Sequence, residues 1–314
     1  MSRPRLIGPA DAHPHRLLHT TSVKGMAPTM DIGIGLPGHA RWADGRTLVE
    51  WARRAEARGF STLSVSDRLA WSTPEPLITL AAAAGVTSRI RLLTSVLLAP
   101  LRTNHALFAK AVTTLDQLAG PDRLHLGLAP GVREDDFVLS DVDYSIRGER
   151  FDRLLDRLAA ASAPDGPISP GPATPGGPPL LFGGNSKATL RRIASYGTGW
   201  IAGDATVQGV QDFAPHIQQA WAEAGRTGSP RLVASVMYAL GPDAEAAVSG
   251  AIGSYYAFAG EEYAQYGISI AHTSPEQITA AITDFDRIGC DELIFMGNDP
   301  DPGQVDLLAD AIGL

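Results

Sequence analysis

Ile90-Arg91-Leu92-Leu93-Thr94-Ser95-Val96-Leu97-Leu98-Ala99-Pro100-Leu101-Arg102-Thr103-Asn104-His105-Ala106-Leu107-Phe108-Ala109-Lys110 reads as a strand, a loop and the start of a helix. The first six residues form a short apolar run that closes on the small hydroxylated pair Thr94-Ser95. Pro100 forbids the strand from continuing as a central ladder member, so a buried strand stops at a polar-edged mouth. Asn104 is placed to cap a helix in which Leu107, Ala111, Leu115 and Leu118 recur at three- and four-residue spacing. In repeated units of this kind the loops at the carboxyl ends of the strands converge on one face, and that face carries the chemistry.

The same unit repeats on both sides. Upstream, an apolar strand opens at Asp31 and ends at Pro37-Gly38, followed by His39, and a helix through Leu48, Val49, Ala52, Ala55 and Glu56 stops at Gly59. A strand over 61–66 ends in Asp67-Arg68, and a proline-started helix over 74–86 leads into Ile90. Downstream, the strand from Arg123 exits through Ala129-Pro130-Gly131 into a charged, loop-like stretch, and an amphipathic helix covers 147–161. Residues 164–179 are dense in proline and glycine and form a surface connection. The rhythm then resumes: strand 180–182, the turn Gly183-Gly184-Asn185-Ser186, a helix to Tyr196, strand 200–202, helix 210–224 and strand 232–239. Helical material over about 243–266, a helix over 275–288, strand 292–296 and a helix over 304–312 complete the chain. Eight alternating units predict a single closed (β/α)8 TIM barrel over 31–314, with an insertion after the seventh strand and a flexible extension over 1–30.

Bulk properties narrow the function classes. The chain has 314 residues, 44% of them hydrophobic, with a formal net charge of -8, which argues against nucleic acid and anionic membrane surfaces as partners. The single cysteine, Cys290, excludes an intrachain disulfide and favours a cytoplasmic setting; packing is its expected role. No apolar run is long enough to span a bilayer. His13, His15 and His19 stand close together, but Pro14 interrupts them and no cysteine or carboxylate motif completes a metal site, so no metal is expected.

Gathering the strand ends gives the candidate residues: His39, Asp67-Arg68, Thr94-Ser95, Ala129-Pro130-Gly131, Gly183 to Ser186, and Gly203-Asp204. Two glycines followed by a helix start suit a phosphate, because free backbone N–H groups point outward there; a tight turn with an Asn or Ser cap explains the same residues. Asp67-Arg68 also fits a plain salt-bridged strand end.

Together with Leu36-Pro37, Gly59-Phe60, Thr87 to Val96, Lys110, Thr114 to Asp116, Asp136-Phe137, Arg147 to Phe151 and Gly199-Trp200, these segments resemble the luciferase-like family of flavin- and deazaflavin-dependent barrel enzymes. The resemblance implies a mouth that binds reduced FMN or, alternatively, F420. Its ring would lie against the ends of the first four strands, with Asp67 at the ring's polar edge and Thr94, Ser95, Val96, Ala129 and Gly131 in its bed. It also implies a non-proline cis peptide at Ser95-Val96, and a phosphate held by Gly183, Gly184, Asn185, Ser186 and Thr189. Two departures stand out. Arg68 occupies the position where many members carry an acid-base histidine; at its high pKa it cannot shuttle protons but can stabilise an anion. Ala129-Pro130-Gly131 lacks the arginine that holds phosphate in luciferase-type members, leaving backbone groups or Arg133 to compensate.

The resemblance implies a two-component monooxygenase first. In that reading reduced FMN from a separate flavin reductase reacts with O2 to a C4a-peroxide and oxygenates a small organic substrate, with Arg68 and His39 as the catalytic side chains. The alternatives are an F420-dependent hydride-transfer oxidoreductase, with His39 or Tyr144 as proton donor, and a flavin-binding protein without turnover. A homodimer is the family expectation. Trp42, Trp71, Tyr255, Tyr256 and Phe258 suggest an apolar substrate pocket, and the substrate itself is not legible.

Overall fold

A computed structural model describes residues 30–40 and 44–314. The expected extension, with His13, His15 and His19, and the pocket residue Trp42 fall outside the described residues. Eight parallel strands close into one barrel: β1 (Asp31–Gly35), β2 (Thr62–Val65), β3 (Arg91–Leu98), β4 (Leu124–Ala129), β5 (Leu180–Gly183), β6 (Gly199–Ala202), β7 (Arg231–Tyr238) and β8 (Glu292–Gly297). Closure is made by β1 on β8, where Asp31 faces Glu292 and Gly35 faces Met296. The helices are α1 (Arg46–Arg58), α2 (Pro76–Ala84), α3 (His105–Ala119), α4 (Glu134–Leu139), α5 (Arg147–Ala161), α6 (Lys187–Tyr196) and α7 (Val207–Glu223), then α8 (Ala244–Tyr256), α9 (Glu261–Ser269), α10 (Pro275–Arg287) and α11 (Gly303–Ile312). No helix among the described residues is long and apolar enough to cross a membrane.

The core forms two layers. Leu93, Leu181, Ile201, Val233, Ile294 and Met296, all from strands, pack on one another inside the barrel, with Val96 against them. The larger layer lies between strands and helices and includes Trp51 of α1, Phe151 of α5 and Phe295 of β8. Helix α1 buries Trp51, Ala52 and Ala55 and stops at Gly59, whose φ of 91° lets its N–H reach back to the last carbonyls.

The ends of β3 and α2, the buried face of α3 and the stretch after Gly131 depart from the sequence expectation. Strand β3 runs on to Leu98, past Thr94-Ser95, with a register shift against β4 between Thr94 and Leu97 and a cis peptide at Ser95-Val96. Pro100 then sits in a 3-10 turn beyond the ladder, where its missing N–H does no harm. Helix α2 begins at Pro76, not Pro74, because the Glu75 carboxylate accepts the Ile78 N–H as its cap. Helix α3 is capped by Asn104 as expected, but its buried face is Phe108, Ala109, Val112, Leu115 and Ala119. Leu107 and Leu118 instead face solvent, 66% and 60% exposed. The charged stretch after Gly131 is not all loop: it contains α4, followed by a 3-10 turn at Tyr144–Ile146.

The proline-rich connection 164–179 contains no helix or strand and is pinned to α3, where Asp116 accepts the Thr174 N–H at 2.7 Å and its hydroxyl at 2.8 Å. The insertion after β7 is α8 and α9, whose Val248, Ile252, Tyr256 and Ala264 form a small core with Met237 and Ala239 at the end of β7.

Glu56 joins α1 to the start of β3. Its carboxylate accepts the N–H groups of Ser88, Arg89 and Ile90. Partial burial works against ionisation, yet the hydrogen bonds from Ile90, Arg89 and Ser88 win and bring its pKa down to about 2. A carboxylate with a depressed folded-state pKa stabilises the fold above its unfolded pKa, and the gain disappears as pH falls through the folded value. Glu56→Gln is therefore expected to lower the denaturation midpoint at pH 7. The gap from wild type should narrow from about pH 4.5 down to about 2; a gap constant across that range would remove Glu56 from this role.

Candidate active site

The residues singled out at the strand ends meet at the carboxyl end of the barrel. Above the inner apolar layer, the Ser64 hydroxyl lies 3.3 Å from the Met296 sulfur, and the Ser95 hydroxyl lies 3.5 Å from Ser64. Val96, the other half of the cis peptide, lies against β4 and β5. A Cβ added at Gly183 would stand 3.3 Å from Val96 and 3.4 Å from Ala129. A Cβ on Gly127 would come within 2.1 Å of the Thr94 carbonyl oxygen, so glycine is required there for the bulge. The Thr94 hydroxyl donates to the Gly127 carbonyl at 2.8 Å, which makes Thr94 an anchor of this bed.

Arg68 projects at the mouth and is 8% exposed. Its Nε lies 2.8 Å from the Asp136 carboxylate, its Nη2 lies 3.2 Å from Asp135, and its Nη1 donates to the Tyr255 hydroxyl at 3.3 Å. Asp136 is 1% exposed and also accepts the N–H groups of Leu69 and Ala70, tying α4 to the loop after β2. Asp67 turns elsewhere: its carboxylate accepts the Leu98 N–H at 2.9 Å and pairs with Arg102 at 2.8 Å. Burial raises the Asp67 pKa despite the Arg102 charge.

His39 sits across from Arg68. Its Nδ1 lies 3.2 Å from the Asn298 side-chain oxygen, and its carbonyl accepts the Trp71 indole N–H at 3.2 Å. The Tyr255 ring meets the imidazole edge to face at 4.1 Å between centroids. Burial pushes the His39 pKa down, Asp204 and the Asn298 bond oppose this, and Arg68 adds to the lowering. The insertion thus reaches back over the mouth and covers it. The Tyr256 hydroxyl donates to Asp204, and Arg133 pairs with Asp135, donates to the Tyr255 carbonyl and stacks 3.9 Å from the Phe258 ring centroid. Arg133 is committed to the lid.

The turn after β5 forms a separate rim. Gly184 adopts φ 91°, its carbonyl accepts the Trp200 indole N–H at 2.8 Å, and the Ser186 hydroxyl caps α6 by accepting the Thr189 N–H. Asn185, Ser186 and Lys187 are exposed, while Thr189 is buried under the turn. Gly131, with φ 78°, packs its backbone near Phe137 and Leu98. Tyr144 lies away from His39, its hydroxyl on the Val132 carbonyl and its ring under Arg147. Among the described residues no three His, Cys, Asp or Glu side chains gather as a metal site.

Sequence reading missed Asn298, and it quoted Asp136 only among the segments that carry the resemblance, without a place in the site. Asn298 follows β8 at the carboxyl end, and extending the survey of strand ends to the eighth strand reaches it. Asp136 sits in a run of like residues, Glu134-Asp135-Asp136, in which nothing local marks one as buried.

The family profile described as luciferase-like monooxygenase matches residues 29–287. An uncharacterised protein of Mycobacterium tuberculosis is 29% identical over 225 residues, which is 60% of this chain and 79% of that protein. The F420-dependent glucose-6-phosphate dehydrogenase of Kribbella flavida is 34% identical over 155 residues, 46% of each chain. An F420-dependent secondary alcohol dehydrogenase, solved with an F420-acetone adduct, superposes with a TM-score of 0.75 at 18% identity, covering 90% of this chain and 98% of that one. Monooxygenase RslO1 from Streptomyces bottropensis superposes with a TM-score of 0.73 at 21% identity, with the same coverage. At those identities the two superpositions speak for the shared barrel.

Proposed function

The chain belongs to the luciferase-like monooxygenase family, and from that membership we propose that it is an F420-dependent oxidoreductase, moving a hydride between the deazaflavin and a small organic substrate. The observation that carries this reading is the polar character of the mouth. Arg68, Tyr255, Asp135 and Asp136 form one hydrogen-bonded and ion-paired set over the strand ends, Tyr256 bonds to Asp204, and His39, bonded to Asn298, meets both tyrosine rings. Such a set serves proton transfer coupled to hydride movement. Oxygenation needs a site that withholds protons and water, which an apolar mouth provides better. The curated F420-dependent relative points the same way.

The residues present fit a phosphorylated ring cofactor. Gly127 and Gly183 let the Thr94 carbonyl and the Val96 side chain pack closely against β4 and β5 at the carboxyl end of the barrel, which fixes the strand ends on which a ring would rest. The first turn of α6, capped by Ser186, keeps N–H groups without intrahelical partners at an exposed glycine turn, with Lys187 beside them. A bound deazaflavin supplies the carbon that takes or gives the hydride. The chain's own part is to hold the phosphate at Ser186 and Thr189, exclude water with the lid residues Tyr255 and Tyr256, and manage the proton at the mouth.

Reduced-FMN oxygenation is the second reading, favoured by one feature: the buried Arg68 cation, suited to stabilising an anionic reduced flavin. In that case a separate flavin reductase supplies the cofactor. Titration with F420, FMN and reduced FMN, followed by oxygen uptake, separates the two. Tight F420 binding and no oxygen consumption supports hydride transfer; reduced-FMN binding with oxygen uptake overturns it. Ser186→Asp keeps a good helix cap but sets a negative charge beside the phosphate, so cofactor affinity should fall about tenfold or more at low salt. Unchanged affinity would place the phosphate elsewhere.

A further inference from the structure

We infer that Asp204 is a recognition carboxylate for a substituted ammonium carried by the substrate, seated at the mouth between Asp204 and the tyrosine rings of the insertion. Asp204 lies in the loop after β6, at the carboxyl end of the barrel with the rest of the site. It is partly buried and keeps a left-handed backbone, φ 47°. Among the described residues its carboxylate takes one hydrogen bond, from the Tyr256 hydroxyl, and no Lys, Arg or His forms an ion pair with it. Its charge is nonetheless felt widely. Burial lowers the His39 pKa and raises those of Tyr255, Tyr256 and Tyr263, and on each of the four the Asp204 charge pushes upward.

The neighbouring charges leave that carboxylate in surplus. Arg68 lies on Asp135 and Asp136, and Arg133 on Asp135, so two guanidinium groups meet two carboxylates. Both guanidinium groups also lie over the Tyr255 ring, at 5.4 and 5.8 Å from its centroid. Tyr256 and Tyr263, whose ring centroids are 5.1 Å apart, carry no cation over them among the described residues. The space beside Asp204 is open: a Cβ added at Gly203 would meet nothing within 4 Å.

A lone carboxylate among aromatic rings selects one kind of cation. A divalent metal needs several oxygen ligands, and no three His, Cys, Asp or Glu side chains gather among the described residues. A primary ammonium needs an acceptor for each of its N–H groups, and a single carboxylate already shared with Tyr256 supplies too few. A tertiary or quaternary ammonium spreads its charge over alkyl groups, gives up little hydration, and gains from the ring quadrupoles as well as from Asp204. A phosphate or carboxylate on the substrate is repelled at the same place. That the cation belongs to a substrate rests on the oxidoreductase reading; the subsite rests on the residues alone.

The test is an NMR titration of the full chain, labelled with 13C at tyrosine and assigned with Tyr256→Phe and Tyr263→Phe, using butyltrimethylammonium, hexanamide and hexanoate as probes. Butyltrimethylammonium is expected to shift the Tyr256 and Tyr263 signals saturably, with an affinity that falls as salt rises. Hexanamide and hexanoate are expected to leave those signals in place. Asparagine tolerates the same left-handed backbone and keeps an oxygen for the Tyr256 hydroxyl, so Asp204→Asn removes the charge alone and should weaken ammonium binding about tenfold or more. Tyr263→Leu should weaken it several-fold. Tyr256→Phe, which takes away the hydroxyl but leaves the ring and the carboxylate, should bind the ammonium as well as wild type. Equal binding of hexanoate, or unchanged ammonium binding in Asp204→Asn, overturns the assignment. Loss in Tyr256→Phe as large as in Asp204→Asn also overturns it and makes Asp204 a latch for the lid. F420 binding is measured alongside. If the deazaflavin does not bind, the functional reading fails while the ammonium subsite stands; if it binds and the ammonium does not, the subsite alone fails.

Discussion

Replacing Glu292 by alanine is expected to cost about 3–5 kcal/mol of stability while leaving cofactor affinity per folded molecule unchanged. Glu292 lies at the amino end of β8, opposite the mouth, and is 2% exposed. Its Oε1 accepts the hydroxyls of Thr62 at 2.5 Å and Ser61 at 2.8 Å and lies 3.2 Å from Arg91, while its Oε2 lies 2.9 Å from Arg231. Asp31 completes the ring, 2.5 Å from Arg91 and 3.2 Å from Arg231. Truncation leaves two guanidinium groups beside one half-exposed carboxylate, and the Arg231 Nε already lacks a hydrogen-bond partner among the described residues. The cost is mostly that of the unpaired charges, so Glu292→Gln, which keeps an acceptor for Thr62, should lose less than the alanine variant.

The same ring sets a pH dependence. Burial by itself would raise the Glu292 pKa, but Arg91, Thr62 and Arg231 hold it below the ordinary carboxylate value. Its contribution is therefore complete above the unfolded-state pKa and is lost as pH falls through the lower folded-state value. Denaturant midpoints of wild type and Glu292→Ala should converge in acid. A difference under about 1 kcal/mol at neutral pH would mean that the barrel closes without this ring.

What the sequence makes legible is whatever recurs locally. Alternation of apolar strand and amphipathic helix, punctuated by Gly59, Gly120 and the proline-rich stretch 164–179, is enough to count eight units, because each signal lies within one element. The span of α5 is read from its stripe of Phe151, Leu154, Leu155 and Leu158. The phase of α3 is not, since Leu107 and Leu118 satisfy the same spacing on the outward face; which stripe is buried depends on how the helix docks. The site is harder still. His39 and Asn298 are 259 residues apart and meet only because β8 closes on β1. The register that brings Asp136 under Leu69 and Ala70 likewise spans two loops. Composition and spacing carry no record of such pairings. The resemblance carried some of what they lacked: the cis peptide expected at Ser95-Val96 is present.

Arg68 and Asp136 allow the fold and the chemistry of the mouth to be separated. Asp136→Ala removes the acceptor of two backbone N–H groups and the 2.8 Å partner of a buried cation, so a loss of about 3–5 kcal/mol is expected. Asp136→Asn retains an oxygen for Leu69 and Ala70 but leaves Arg68 with the half-exposed Asp135 as its remaining carboxylate, and should fall between wild type and the alanine variant. Adding Arg68→Met to Asp136→Asn removes the stranded cation. The pair is then expected to regain stability over Asp136→Asn alone, with a coupling of about 1–3 kcal/mol in a double-mutant cycle. Turnover should move the other way. If the guanidinium stabilises charge that develops on the substrate oxygen, Arg68→Met/Asp136→Asn folds yet loses about a hundredfold or more in kcat, with F420 affinity changed only a few-fold. Arg68→Lys should not rescue it, because a point charge cannot reproduce the fork that spans Asp136, Asp135 and the Tyr255 hydroxyl. Wild-type turnover in the double variant would make Arg68 a strut for the loop after β2 and leave the proton chemistry of the mouth to His39.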